Sequence, residues 1–136
     1  MKDTPGQLSM QVCATCGRVQ YPQRDACVAC LSTELEHRLV SSEGELIAET
    51  TLLHSHEQYF RERLPWRVAL VRLDAGCSVI AHRHAACGAP PSRVQVVACH
   101  DPFDRTVLVA LPVRARYAQA EDGAVRDLES ILASEA

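Results

Sequence analysis

Cys13-Ala14-Thr15-Cys16-Gly17 and Cys27-Val28-Ala29-Cys30, with ten residues between Cys16 and Cys27, decide how this chain begins. Four thiolates on two short turns close a tetrahedral cage around one ion and leave no coordination position open, the pattern of a zinc ribbon. A closed cage holds structure and does no chemistry on a substrate. Cys13, Cys16, Cys27 and Cys30 are therefore expected to bind a structural Zn²⁺. The same four sulfurs accept iron, so a rubredoxin-like electron carrier is a sharper alternative, separated from the first by colour and metal analysis. Gly17, directly after the second thiolate, tolerates the positive φ that a metal knuckle needs. Residues 18–24, between the knuckles, read as two short strands joined by a turn. The ribbon is set at residues 13–36, behind a lead-in over residues 1–12 in which Pro5-Gly6 blocks regular structure. A module of this size depends on its metal to fold.

Beyond the ribbon the pattern changes to short β-like segments between turn signals. Leu46-Ile47-Ala48-Glu49-Thr50-Thr51-Leu52-Leu53 follows Ser42-Glu43-Gly44 and reads as a first strand. Trp66-Arg67-Val68-Ala69-Leu70-Val71-Arg72-Leu73 alternates toward Asp74-Ala75-Gly76, a tight turn into Cys77-Ser78-Val79-Ile80-Ala81-His82. Arg93-Val94-Gln95-Val96-Val97-Ala98-Cys99 and Thr106-Val107-Leu108-Val109-Ala110-Leu111 complete five strands. With no long helix between them they fit a small closed barrel, an OB-fold, over residues 39–116. Residues 55–63 are polar and helix-compatible until Pro65, an elaborated loop between the first two strands. In the tail, residues 117–136, Val125, Leu128, Ile131 and Leu132 recur at helical spacing. The expected architecture is all-β: a rubredoxin-like zinc ribbon, a five-stranded OB-fold barrel and a short carboxyl-terminal helix.

Seven cysteines are an odd number for a disulfide framework, and four in C-x-x-C pairs favour metal in a reducing compartment. No apolar run reaches the roughly 18 residues of a membrane span, and residues 1–6 carry no signal-peptide core. A cytoplasmic protein is expected. A formal charge of −3 and 4% aromatic residues argue against single-stranded nucleic acid, which needs a positive groove and a stacking platform. Nucleic-acid binding therefore stands as the second functional reading, testable by salt-dependent binding to oligonucleotides.

The order of these features resembles a known family: small proteins with an amino-terminal zinc ribbon fused to an OB-fold, associated with acyl-CoA metabolism. The residues that carry the resemblance are Cys13-x-x-Cys16-Gly17, Tyr21-Pro22 before Cys27-x-x-Cys30, Gly44-Glu45-Leu46, and Pro65-Trp66 through Leu73-Asp74-Ala75-Gly76. It spans about residues 12–113. The chain departs from the family in lacking a long helix ahead of the ribbon and in carrying Cys77 and Cys87. The resemblance implies a non-catalytic partner of a thiolase-fold enzyme, or of a hydratase or aldolase handling CoA thioesters. The catalytic residues would then belong to the larger subunit.

Other chemistry-bearing residues have plainer readings. His54/His56 and His82/His84 each share a strand face if extended, but no carboxylate or cysteine joins them at matching spacing. Cys77 and Cys99 read as small core residues, and Cys87 as a residue of an exposed loop. No nucleophile–base–orienter set can be assembled, and a thiolase needs a far longer chain of two related α/β halves. Tyr59, Phe60, Arg61, Arg63, Trp66 and Arg67 bring half of the six aromatics together with three arginines. That is the composition of an anchor for a partner protein or for the phosphates of a CoA ester. The competing reading has Phe60 and Trp66 closing the barrel end, with the arginines solvated.

Overall fold

The computed structural model describes residues 7–113 and 128–133. Its first element corrects the expected lead-in: β1 (Gln7–Cys13) is a full strand. Leu8, Met10 and Val12 alternate with Gln7, Ser9 and Gln11, so the chain has an apolar face to bury as soon as it leaves Pro5-Gly6. β2 (Val19–Gln20) pairs with its far end, and β3 (Leu35–Ser41) pairs with its whole length, Gln7 opposite Ser41 through Cys13 opposite Leu35. The result is a three-stranded antiparallel sheet of order β2-β1-β3. Residues 18–24 supply only the two residues of β2, not two strands. β3 runs through the stretch where the sequence suggested that the ribbon ends and the barrel starts.

Five strands follow: β4 (Glu43–Leu52), β5 (Trp66–Leu73), β6 (Ser78–Arg83), β7 (Ser92–His100) and β8 (Thr106–Pro112). They close into a barrel of order β4-β5-β6-β8-β7, with β7 returning to β4. Only the β6–β8 pairing is parallel, which is the OB-fold path. Gly44 sits where β4 crosses β5; a Cβ there would lie 2.5 Å from the Arg72 carbonyl oxygen. The β4–β5 connection contains the one-turn helix α1 (Gln58–Arg61), and α2 (Leu128–Ala133) forms part of the expected tail helix. Val125 lies outside the described residues.

Alternation along the strands builds two apolar layers. Inside the barrel, Leu46, Val71, Leu73, Val79, Val94 and Val96 pack with Leu8 and Met10 of β1, so ribbon and barrel share one core. Outside β7 and β8, Cys99, Val109 and Leu111 are covered by Leu128 and Ile131 of α2, with Phe60 and Trp66 at the margin. Among the described residues no helix is long and apolar enough to cross a membrane.

Candidate metal centre and barrel face

The two knuckles repeat one backbone turn. Cys13 N–H donates to the Arg18 carbonyl (2.9 Å) and Gly17 N–H to the Cys13 carbonyl (2.8 Å). In the second, Cys27 N–H donates to Ser32 (2.8 Å) and Leu31 N–H to Cys27 (2.9 Å). Gly17 and Leu31 close their turns at φ +80° and +64°. Two buried glutamines, for which the sequence pattern carries no signal, fix the loop between the knuckles. Gln20 Nε2 donates to Gln11 Oε1 (2.6 Å), and Gln11 Nε2 donates to the Arg24 carbonyl (2.8 Å). Arg24 N–H returns to Gln11 Oε1, and Val28 N–H donates to Gln20 Oε1, each at 3.0 Å. This side-chain scaffold stands in place of the expected second strand.

The four sulfurs lie within 4.8 Å of one another, with Cys13–Cys30 and Cys16–Cys27 at 3.6 Å. A tetrahedral Zn–S length of about 2.3 Å requires sulfur–sulfur edges of roughly 3.8 Å, so the cage fits that ion. Its electrostatics also ask for a cation. The Cys16 N–H lowers the Cys13 thiol to about 6, and the Cys30 and Ala29 amides lower Cys27. Although the Ser32 amide works to lower Cys30, desolvation and the three neighbouring sulfurs push it up to about 12. A bound divalent ion removes that repulsion and holds all four as thiolates. Cys13, Cys16, Cys27 and Cys30 form a structural zinc site, and among the described residues no other group of three or more potential ligands converges.

The histidine pairs do not converge on a second ion. His54 and His56 are exposed, whereas His84 is buried and its Nδ1 accepts the Ala86 N–H at 3.0 Å. His82 Nδ1 accepts the Trp66 indole N–H at 2.8 Å. Burial holds the His82 pKa below its ordinary value, with Asp101 opposing and Arg105 adding to the shift. Cys87 is buried, correcting the expected exposed loop; its thiol donates to the Ala110 carbonyl at 3.3 Å. Arg83 accounts for this. Its guanidinium, buried inside the barrel end, donates to the carbonyls of His84 (3.1 Å) and Cys87 (2.7 Å) and pairs with Glu49. Burial pushes the Cys87 and Cys77 thiols up, away from a nucleophile's range.

Tyr59, Phe60 and Trp66 meet edge to face, and Phe60 stacks on His82. Arg63 lies over the Tyr59 ring at 3.8 Å. Arg61 donates to the carbonyls of Ser55 and His56, and Arg67 to Glu49 at 2.8 Å. Phe60 and Trp66 pack, partly buried, at the margin of the apolar cluster outside β7 and β8. Beside them the register lines up an outward face across β4, β5 and β6. Ala48, Leu70 and Ile80 form one row, Thr50, Val68 and His82 the next, then Leu52 and Trp66. Ile80 is 68% exposed and Leu52 43%.

Two family profiles cover nearly all of this architecture. The ChsH2 rubredoxin-like zinc ribbon domain matches residues 4–36, and the ChsH2 C-terminal OB-fold domain matches residues 37–116. The chain belongs to the ChsH2 family. A solved structure, that of an Ltp2-ChsH2(DUF35) aldolase, superposes with a TM-score of 0.61 at 24% identity, over 78% of this chain and 84% of that one. At that identity the likeness is one of fold. In this ChsH2 family member the thiolate cage was legible in the cysteine spacing. The outward rows were not, although strict alternation around inward Val79 and Ala81 already turns Ile80 to the surface.

Proposed function

We propose that this chain is a non-catalytic accessory subunit that docks on the catalytic subunit of an acyl-CoA-processing complex of thiolase or aldolase type. The observation that carries the reading is the outward face of β4–β6: mainly apolar, in register, with Ile80 and Leu52 exposed. An exposed, contiguous apolar face of this kind is the composition of a protein contact. The chain's formal charge of −3 and 4% aromatic residues argue against single-stranded nucleic acid as its partner. Family membership supports the same reading, as does the structural neighbour, whose name couples a ChsH2 protein with an aldolase.

The footprint takes in Leu52, Leu70, Ile80 and Trp66 of the outward rows, with Tyr59, Phe60 and Arg63 of the α1 loop beside them. Arg61 and Arg63, exposed on the same loop, would meet the phosphates of a CoA ester held at the interface. Arg67 serves by fixing Glu49 and, through it, Arg83. Chemistry on the thioester belongs to the partner, while the zinc ribbon holds the barrel in shape. Residues 54–67 also resemble the small zinc subunit of benzoylsuccinyl-CoA thiolase, from anaerobic toluene degradation. An aromatic succinyl-CoA ester is therefore the first acyl substrate to try.

The test is a low-salt affinity purification of the tagged, zinc-loaded chain from its source cells, with mass spectrometry of what co-elutes. A stoichiometric thiolase- or aldolase-type catalytic subunit is expected, and Ile80→Glu should abolish its recovery. Recovery of the chain alone, or with nucleic acid that salt strips away, would sink the proposal. A red, iron-loaded preparation would instead promote electron transfer.

A further inference from the structure

We propose that this chain pairs with a second copy of itself along the outer edge of β3, across a two-fold axis through His37. All seven residues of β3 are in unbroken register with β1, and the sheet order ends at β3, so among the described residues no strand covers its other edge. A solitary edge strand is ordinarily kept apart by being short, bulged, interrupted by proline or charged. β3 is seven residues long, regular in register and free of proline. Its charges are of opposite sign and two residues apart: Glu36 and Arg38, ion-paired to each other with side chains 44% and 55% exposed.

That spacing is self-complementary in one register. Two-fold antiparallel pairing about an axis normal to the sheet sets one residue against itself and matches its neighbours crosswise. With His37 on the axis, Glu36 faces Arg38 of the second copy, and Arg38 faces the second copy's Glu36. On the other face Leu35 meets Leu39 of the second copy. With residue 36 or 38 on the axis, Glu36 or Arg38 would face its own duplicate, and like charges directly opposite each other are destabilising. The charges thus repel in those two registers, while in this one each pairs with its opposite. The edge is separate from the outward face of β4–β6, so the inference does not depend on the proposed docking there.

Sedimentation velocity of the zinc-loaded full chain over a concentration series tests it. A reversible monomer–dimer equilibrium is expected. Arg38→Glu and Glu36→Arg should each weaken it about tenfold or more, since each reversal makes two cross-strand pairs repulsive. The double variant, with the charges exchanged, should restore it. His37→Cys should form a covalent dimer on mild oxidation, because a residue on the axis lies within disulfide reach of its copy. A chain that stays monomeric at the highest concentration overturns the proposal. So does a dimer indifferent to the single reversals, a double variant that fails to recover, or a His37→Cys chain that does not cross-link.

Discussion

Gly17 and Leu31 occupy the same place in the two knuckles, yet only one of them is suited to it. Both have positive φ, and an L-residue there costs roughly 1–2 kcal/mol. Leu31 is 77% exposed, so its side chain offsets little of that cost by burial. Leu31→Gly should leave the zinc-loaded protein equally stable or more stable by up to about 1 kcal/mol, after the extra unfolded-state freedom of glycine is subtracted. Urea unfolding at constant zinc checks this, and a clear loss would show that Leu31 packs in the folded state. His82 makes a different statement. Accepting the Trp66 N–H at Nδ1 suits the neutral imidazole, and burial depresses its pKa. The unfolded chain thus binds this proton first. The stabilisation is complete above the unfolded value of about 6.5 and is lost as pH falls toward the depressed folded value. Stability should therefore decline below that pH more steeply in the wild type than in His82→Gln. Both proteins carry the same thiolate cage, so its own acid sensitivity cancels in the comparison. Trp66 is the only tryptophan, and its fluorescence follows the bond directly.

At the level of elements, what could be read ahead was whatever local pattern decides. The ends of β5 follow alternation from Trp66 and the Leu73-Asp74-Ala75-Gly76 turn, and Gly76 takes φ +113° there. β1 carries the same alternation in Leu8, Met10 and Val12, but Pro5-Gly6 reads as a breaker and masks the strand behind it. The outward face was hidden for a stronger reason. A register shift between Leu46 and Ala48 reverses the parity of β4, turning Ala48, Thr50 and Leu52 outward and Glu49 inward. Counting by twos from Leu46 gives the wrong face, and nothing within β4 announces the bulge. The loop after β6 is set by a nonlocal group too, the Arg83 guanidinium, whose side chain is 4% exposed. Arg83→Met should cost about 2–4 kcal/mol, because it leaves loop carbonyls unpaired and removes one partner of Glu49. It should also expose Cys87, so thiol-reagent labelling of the native protein would rise along with the loss of thermal stability. A variant of wild-type stability with Cys87 still protected would mean that Arg83 does not organise this loop.

For the molecule as a whole, the decisive contact is between modules that the sequence invites one to separate. Cys13 ends the strand whose earlier residues, Leu8 and Met10, are 2% and 3% exposed inside the barrel core. Val19 of β2 and Val40 of β3 pack against the same cluster. The residue that links β3 to β4 is also held by backbone, with Val96 N–H of β7 donating to the Ser42 carbonyl at 2.9 Å. Holding the ion therefore holds β1, and holding β1 keeps the barrel filled. Burial of two such side chains contributes about 3–6 kcal/mol, a large part of the stability of a domain of this size. Chelation under reducing conditions should accordingly lower the urea midpoint of the barrel itself, read by Trp66, which lies in the other apolar cluster. If the ribbon were an independent appendage, the Trp66 transition would stay in place while the metal left. Restoring zinc should return the transition to its original position. That recovery separates loss of a structural ion from damage to the thiols, because oxidised cysteines would not rebind it.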